Sequence, residues 1–331
     1  MDALREFGHL TRYVVASDEG GLRYEAPSAE VLRDLCEIGG ADLATARVFE
    51  GHLNALQLIA LYGTNDQQRR VREAVSDGAL LGVWGADGTP PLTCSGHGTL
   101  AGVKRYASGV GVVSLAIVAF TDGEGALHLL LMPVDDQERV SLMDWDHRGM
   151  RRSRSGQYDF TGLSVGREHR LGAPDDYRRE PYFVGGIWRC CAAQLGAIEA
   201  LVTALVDDLT ASGRDAHPLQ MARIGEAILT ARTCRLWVED AACRVEASAA
   251  AGAPPAEIEQ AVSLAAYARL ATEKAAMSVI ELCERALGLS MFAGAHPAEA
   301  LSRDLAVYIR QANPDAVLLQ HGRVLMRDFA R

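Results

Sequence analysis

Apolar residues recur at helical spacing early in the chain, at Val31, Leu32, Leu35 and Ile38, and predict a helix that Ser28 caps and Gly39-Gly40 ends. A second helix follows over 43–62, and Asn65-Asp66 opens a third that carries Gln67, Gln68 and Val71. From Leu81 the period shortens. Gly-rich turns separate runs rich in β-branched and aromatic residues at 99–106, 112–120, 126–132 and 157–165, and Asp122-Gly123-Glu124-Gly125 is a hairpin signal between two of them. After Pro174-Asp175-Asp176-Tyr177 the helical period returns in four long runs, 192–211, 218–248, 256–287 and 315–330, with Gly252-Ala253-Pro254-Pro255 separating the middle pair. The pattern predicts an α+β chain in three parts: an all-helical N-terminal domain over 1–80, a β-domain over 81–173 and a C-terminal four-helix bundle over 174–331.

Composition narrows the function classes. With 331 residues, 49% of them hydrophobic, the chain is long enough to bury a large core. Its formal charge of -10 argues against tracking a phosphate backbone, which needs clustered Lys and Arg. The short run Arg151, Arg152 and Arg154 reads as a solvated loop, so no nucleic-acid partner is expected. Seven cysteines without a Cys-x-x-Cys spacing fit reduced, packed thiols, Cys190 and Cys191 included, and neither a disulfide framework nor a metal site. The N-terminus has no apolar run behind a basic start, and no stretch reaches the ~18 uncharged apolar residues of a membrane span. The expected location is the cytoplasm, with no membrane partner.

Several segments, taken with the order helix, sheet, bundle, resemble the acyl-CoA dehydrogenase superfamily over nearly the whole chain. Residues 102–109, Gly-Val-Lys-Arg-Tyr-Ala-Ser-Gly, are similar to the family's β-domain segment whose aromatic and hydroxyl residues lie against the flavin ring. The resemblance implies that role for Tyr106 and Ser108. Trp145, Gly149-Met150-Arg151 and the strand over 153–160 resemble a second, mostly architectural family segment. Arg214 and Gln220 match the helix start that offers an Arg and a Gln, where a guanidinium is a forked donor to the flavin phosphates of a neighbouring subunit. Arg285-Ala286-Leu287-Gly288-Leu289 falls where the family has Gln-x-x-Gly-Gly against the dinucleotide; Arg285 replaces the Gln, Leu289 the second Gly, and Gly288 retains the backbone freedom. The family's cover loop is replaced by Trp84-Gly85-Ala86-Asp87-Gly88-Thr89-Pro90-Pro91, in which Trp84 is positioned to stack near the ring. The resemblance implies FAD, a homodimer or homotetramer that completes the flavin site, and an electron-transfer partner.

The tail over 303–326 resembles the family's last helices, yet it departs at the reacting position. An α,β-desaturase needs a carboxylate in an apolar pocket to take the α proton. The chain has Gln311 and Ala312 at one of the family's two base positions and Gly186 to Trp188 at the other. Asp315 is the nearest acid and reads as a first-turn helix residue. A sister group, the flavin-dependent monooxygenases of this fold, needs no such base and has an Asn/Asp-Pro with a nearby His; here Asn313-Pro314 is present, and His52 and His321 are the histidines to consider. Three functions follow as expectations: an acyl-CoA dehydrogenase-like flavoenzyme acting on an acyl thioester or related small molecule, a monooxygenase, and a degenerate binding protein. Gln311, Asp315 and His52 are the catalytic candidates.

Overall fold

A computed structural model describes residues 1–143, 145–249 and 252–329. The chain packs into two compact units that interleave along the sequence: Met1–Ala26, Arg47–Asp146 and Arg151–Arg179 form the first, and Pro27–Ala46, His147–Met150 and Glu180–Arg331 the second.

The first unit contains α1 (Asp2–Glu6), a hairpin of β1 (Val14–Ala16) and β2 (Leu22–Tyr24), and most of α3 (Leu43–Tyr62), which follows α2 (Ser28–Ala41). The N-terminal part is thus not all-helical as expected; two three-residue strands are too short to show a period of two. Helix α4 (Asn65–Ser76) opens with a reciprocal capping box between Thr64 and Gln67. The Gln67 amide also donates to the carbonyls of Glu168 and Arg170, both at 2.9 Å, and so ties α4 to the end of the β-region.

The strands are β3 (Leu81–Trp84), β4 (Thr93–Cys94), β5 (Leu100–Ala101), β6 (Val103–Ala107), β7 (Leu115–Thr121), β8 (Leu127–Pro133), β9 (Val140–Ser141), β10 (Gly156–Asp159) and β11 (Arg170–Leu171). They make a four-stranded sheet in the order β11-β8-β7-β3, a three-stranded sheet β6-β10-β9 and the small ribbon β4-β5. Asp122 turns β7 into β8 as the hairpin signal predicts, its carboxylate accepting from the amides of Glu124 and Ala126 at 2.9 and 3.0 Å. A register shift in β10 between Gly156 and Tyr158 breaks the β6 pairing beside the Tyr106 turn. Trp84, Tyr158 and Phe160 fill the core here, with ring centroids 5.7 and 4.8 Å apart in sequence.

The second unit is helical: α2, α5 (Trp188–Ala211), α6 (Pro218–Ser248), α7 (Pro255–Leu287), α8 (Pro297–Tyr308) and α9 (Pro314–Phe329). The four long runs expected of the bundle are observed, and α8 is an added helix. Residue 330, included in the last expected run, lies outside the described residues. Gly39-Gly40 do not end α2, which runs on to Ala41, and Ser28 is its first turn, with Pro27 at the cap position and no side-chain cap bond. The glycines serve contact instead. A Cβ on Gly39 would come 2.2 Å from the Ala193 carbonyl oxygen, and one on Gly196 would come 2.0 Å from that of Cys36. Helices α2 and α5 meet backbone to backbone at this pair. Segment Gly185–Ala211 has the length and hydropathy of a membrane span, but 67% of that apolar window is buried inside the fold, as in a core helix.

Candidate functional site

In the first unit, the sequence-predicted Tyr106 is the fourth residue of β6, and Ser108 opens the turn that leaves the strand. The strand end and this turn carry left-handed residues: Tyr106 at φ 53, Gly109 at φ 76 and Gly111 at φ 80. Positive φ at a bulky residue is strained, and such strain persists where neighbours hold it. The result is a tyrosine 47% exposed on a strand whose Lys104 and Ala107 are buried. The Arg105 guanidinium lies over its ring at 4.7 Å, and the Trp145 ring stands edge-on at 6.1 Å.

Ser108 is half-buried two residues on. Its carbonyl accepts from Trp84 Nε1 at 3.1 Å, and its hydroxyl lies 3.0 Å from that of Ser155. The Trp84 indole is therefore committed: it is buried, it packs against Tyr158, and its one donor fixes the Ser108 main chain. Its geometry is that of a support beneath the turn, in place of the expected stacking residue. The loop after it is anchored by Lys104, a fully buried ammonium that donates to the Gly85 carbonyl at 2.8 Å and to Asp87 at 2.7 Å. Burial pushes the Lys104 pKa down, and the Asp87 carboxylate partly restores it.

His52 belongs to the same unit and is sealed in it. Its Nε2 faces the Leu10 carbonyl at 2.9 Å and its Nδ1 accepts from the Leu81 amide at 3.1 Å, which assigns the neutral Nε2–H tautomer. Burial lowers its pKa to about 4. A histidine with both nitrogens bonded and no exposure has no lone pair for a substrate, so the catalytic expectation for His52 is corrected to a structural one.

In the second unit, Arg214, Gln220 and Arg285 gather at the C-terminal end of α7. Arg214 Nη1 and Gln220 Nε2 both donate to the Ala286 carbonyl, at 3.3 and 3.2 Å, one of the orphan acceptors that a helix end leaves. Arg214 also bonds Asp208 at 2.5 Å, and Arg223 donates to the Gln220 side chain at 2.9 Å. Arg285 is exposed and pairs with Glu281 one turn back. Gly288 follows at φ 65, with open space where a Cβ would stand. Leu289, in place of the second glycine, is 88% exposed.

The tail places Gln311 after α8, its amide donating to the Tyr308 carbonyl at 3.2 Å and facing the Cys190 thiol at 3.6 Å. Asp315 occupies the first turn of α9, as the helix-dipole reading expects. His321, further along α9, bonds the Ser263 hydroxyl of α7 at 3.0 Å, and burial lowers its pKa. It lines a cavity of about 470 Å³ together with Glu180, Ile258 and Val324. Sequence reasoning missed Ser155 as the partner of Ser108, and Ser153 as the partner of Ser155 at 2.7 Å; the alternating Ser-Arg-Ser of 153–155 was the available signal. Among the described residues no cluster of His, Cys, Asp or Glu is arranged to hold a metal ion.

No family model matches the sequence. Over 192 residues the chain is 27% identical to a dibenzothiophene monooxygenase of Rhodococcus qingshengii, a match that takes in 53% of this chain and 45% of that protein. The chain thus spans about half the length of the curated relatives it matches. The crystal structure of FMN-bound TdsC from Paenibacillus sp. A11-2 is similar at a TM-score of 0.85 and 20% identity, covering 99% of this chain and 90% of that one. Butyryl-CoA dehydrogenase from Megasphaera elsdenii is similar at 0.75 and 17%, covering 93% and 83%. The chain therefore has the acyl-CoA dehydrogenase-like fold: N-terminal helices, central β-sheets and a C-terminal helical domain.

Proposed function

We propose that the protein is a flavin-dependent oxidoreductase working as a monooxygenase, with FMN in preference to FAD. The observation that carries this reading is the neutral tail. Gln311, where dehydrogenation of an acyl thioester would need a carboxylate, is an amide already bonded to Tyr308 and Cys190. The likeness to a dibenzothiophene monooxygenase and to FMN-bound TdsC points the same way.

The residues fit a flavin ring. Tyr106 offers an exposed aromatic face and Ser108 a half-buried hydroxyl at the edge of the same turn. When bound, flavin supplies the electrons that oxygen chemistry needs. The chain's part is to hold the ring with Tyr106, bond its edge with Ser108 and rest that turn on Trp84. At the end of α7, Arg214 and Gln220 are occupied with Ala286 and Arg285 with Glu281, and Leu289 stands where a dinucleotide needs bare backbone. That supports a mononucleotide in place of a dinucleotide. The same proposal includes a small-molecule substrate, a homodimer or homotetramer in the cytoplasm, and electrons delivered by a separate partner.

Titration of the purified protein with FMN and with FAD, followed by flavin fluorescence, is expected to show FMN binding at least roughly tenfold tighter, a difference of about 1.4 kcal/mol. Mixing the protein and indole as probe substrate with chemically reduced FMN and isotopically labelled O2 should then give indole carrying one labelled oxygen atom and correspondingly less hydrogen peroxide than without the protein. Binding of neither flavin, or efficient oxidation of acyl-CoA with an artificial electron acceptor, would sink the reading.

A further inference from the structure

The second unit holds a cavity of about 470 Å³ between the stretch before α5, the start of α7 and the second half of α9. Its volume is that of pockets that enclose a small organic molecule. Val184, Ile258, Val262 and Val324 give it apolar walls, and among them stands one nearly buried polar side chain, His321, 6% exposed. None of the residues given to the flavin lines it.

The hydrogen bonds around His321 fix what it offers to that space. The buried Ser263 hydroxyl has one hydrogen and gives it to the Glu259 carbonyl, one turn back on α7, at 2.8 Å; a carbonyl only accepts. The hydroxyl therefore meets His321 Nδ1, at 3.0 Å, as an acceptor, which places the ring hydrogen on Nδ1. Burial lowers the pKa of the ring against the pull of the Glu259 carboxylate, so at neutral pH the imidazole is uncharged and Nε2 carries a bare lone pair. Among the described residues no donor is bonded to Nε2. A buried acceptor without a donor is costly, and a ligand that supplies one recovers that cost.

We propose that this cavity is a binding site for a neutral aromatic alcohol, a phenol or naphthol, which lays its ring on the apolar walls and donates its hydroxyl hydrogen to His321 Nε2. Charge disfavours the other classes. A carboxylate or phosphate would set lone pairs against the Nε2 lone pair and against the half-buried Glu180 carboxyl, which the Val184 and Gly185 amides hold at 3.0 and 3.1 Å. Of the two arginines that line the cavity, Arg323 is exposed and Arg327 is paired with Glu259 at 3.2 Å, so neither offsets that repulsion by much, while both oppose a cation. A rigid ring also loses less conformational freedom on binding than an alkyl alcohol of the same bulk.

The test is calorimetric titration of the flavin-free protein with 2-naphthol and with 2-methoxynaphthalene, which has the same rings and no donor, while the nitrogen signals of the histidines are followed by NMR. In wild type 2-naphthol is expected to bind roughly fivefold tighter than the ether, the scale of one neutral hydrogen bond, and to shift the His321 Nε2 signal away from that of an unbonded nitrogen. His321→Phe should bring the two probes to equal affinity. Val324→Trp, which fills the cavity and leaves the Ser263–His321 pair in place, should abolish binding of both. Equal affinity of the two probes for wild type overturns the proposal, as does 2-naphthol that fails to bind, that binds without moving the His321 signal, or that still binds Val324→Trp. If either variant fails to fold, the wild-type affinity ratio and the His321 signal decide alone.

Discussion

Both ring nitrogens of His52 are committed within the protein, so the imidazole is neutral in the fold and its pKa is held near 4 against an ordinary 6.5. Between those two values the unfolded chain binds a proton that the folded chain refuses. Stability from this group is therefore complete above about pH 6.5, falls as the pH drops toward 4, and changes no further below that, a loss of about 3 kcal/mol over the window. Urea unfolding at a series of pH values should show this slope, and His52→Gln should flatten it; an unchanged slope in the variant would refute the assignment. At this scale the sequence identified which polar residues lie in apolar stretches, and no more. Trp84, Arg214 and Gln220 were legible as residue types able to stack on a ring or bind phosphate. Their actual partners, the Ser108 and Ala286 carbonyls, are 24, 72 and 66 positions away, and local pattern carries no information about them.

Helix boundaries show how one residue type serves two physical ends. Gly39-Gly40 has the look of a helix stop, since glycine tolerates the left-handed cap conformation, but glycine also permits two backbones to touch. Only the position of Ala193 and Cys36 chooses between them. Gly196→Ala should force the Cys36 carbonyl away and destabilise the second unit by about 3 kcal/mol, in the range of core overpacking. Thermal unfolding followed by circular dichroism checks this, and a variant as stable as wild type would remove the close-contact argument. The period-based expectations were most successful where elements are long: α3 and α6 have the bounds that the pattern predicted, 43–62 and 218–248. Helix α8 escaped although its start repeats the His-Pro of α6, with His296 capping the Ala298 amide as His217 caps that of Leu219. Strands β1 and β2 are too short for any period to register.

Across the molecule, an apolar face remains on α6, where Met221, Leu229 and Leu236 are exposed at intervals of about two turns, with Ile228 between them. An acidic chain is kept apart by its net charge in general, and the homo-oligomer proposed above is expected to use this row of exposed apolar side chains as its contact. Light scattering of the wild type should give a dimer or tetramer mass, and Leu229→Glu with Leu236→Glu should lower it while far-UV dichroism stays unchanged. A monomeric wild type would refute this. The two compact units exchange segments along the chain, so that Pro27–Ala46 packs with residues 180 onward and 47–146 with 151–179. Periodicity is a local property, which is why the order of helices, sheets and bundle was readable from one sequence, as was the uncharged side chain of Gln311 in the tail. Which polar groups are spent inside the fold and which still face outward depends on partners brought together from far apart. Only the tertiary structure could seal His52, occupy Arg214 and Gln220 at the end of α7, and line up Ser108, Ser155 and Ser153, because hydrogen-bond saturation and burial are settled by packing.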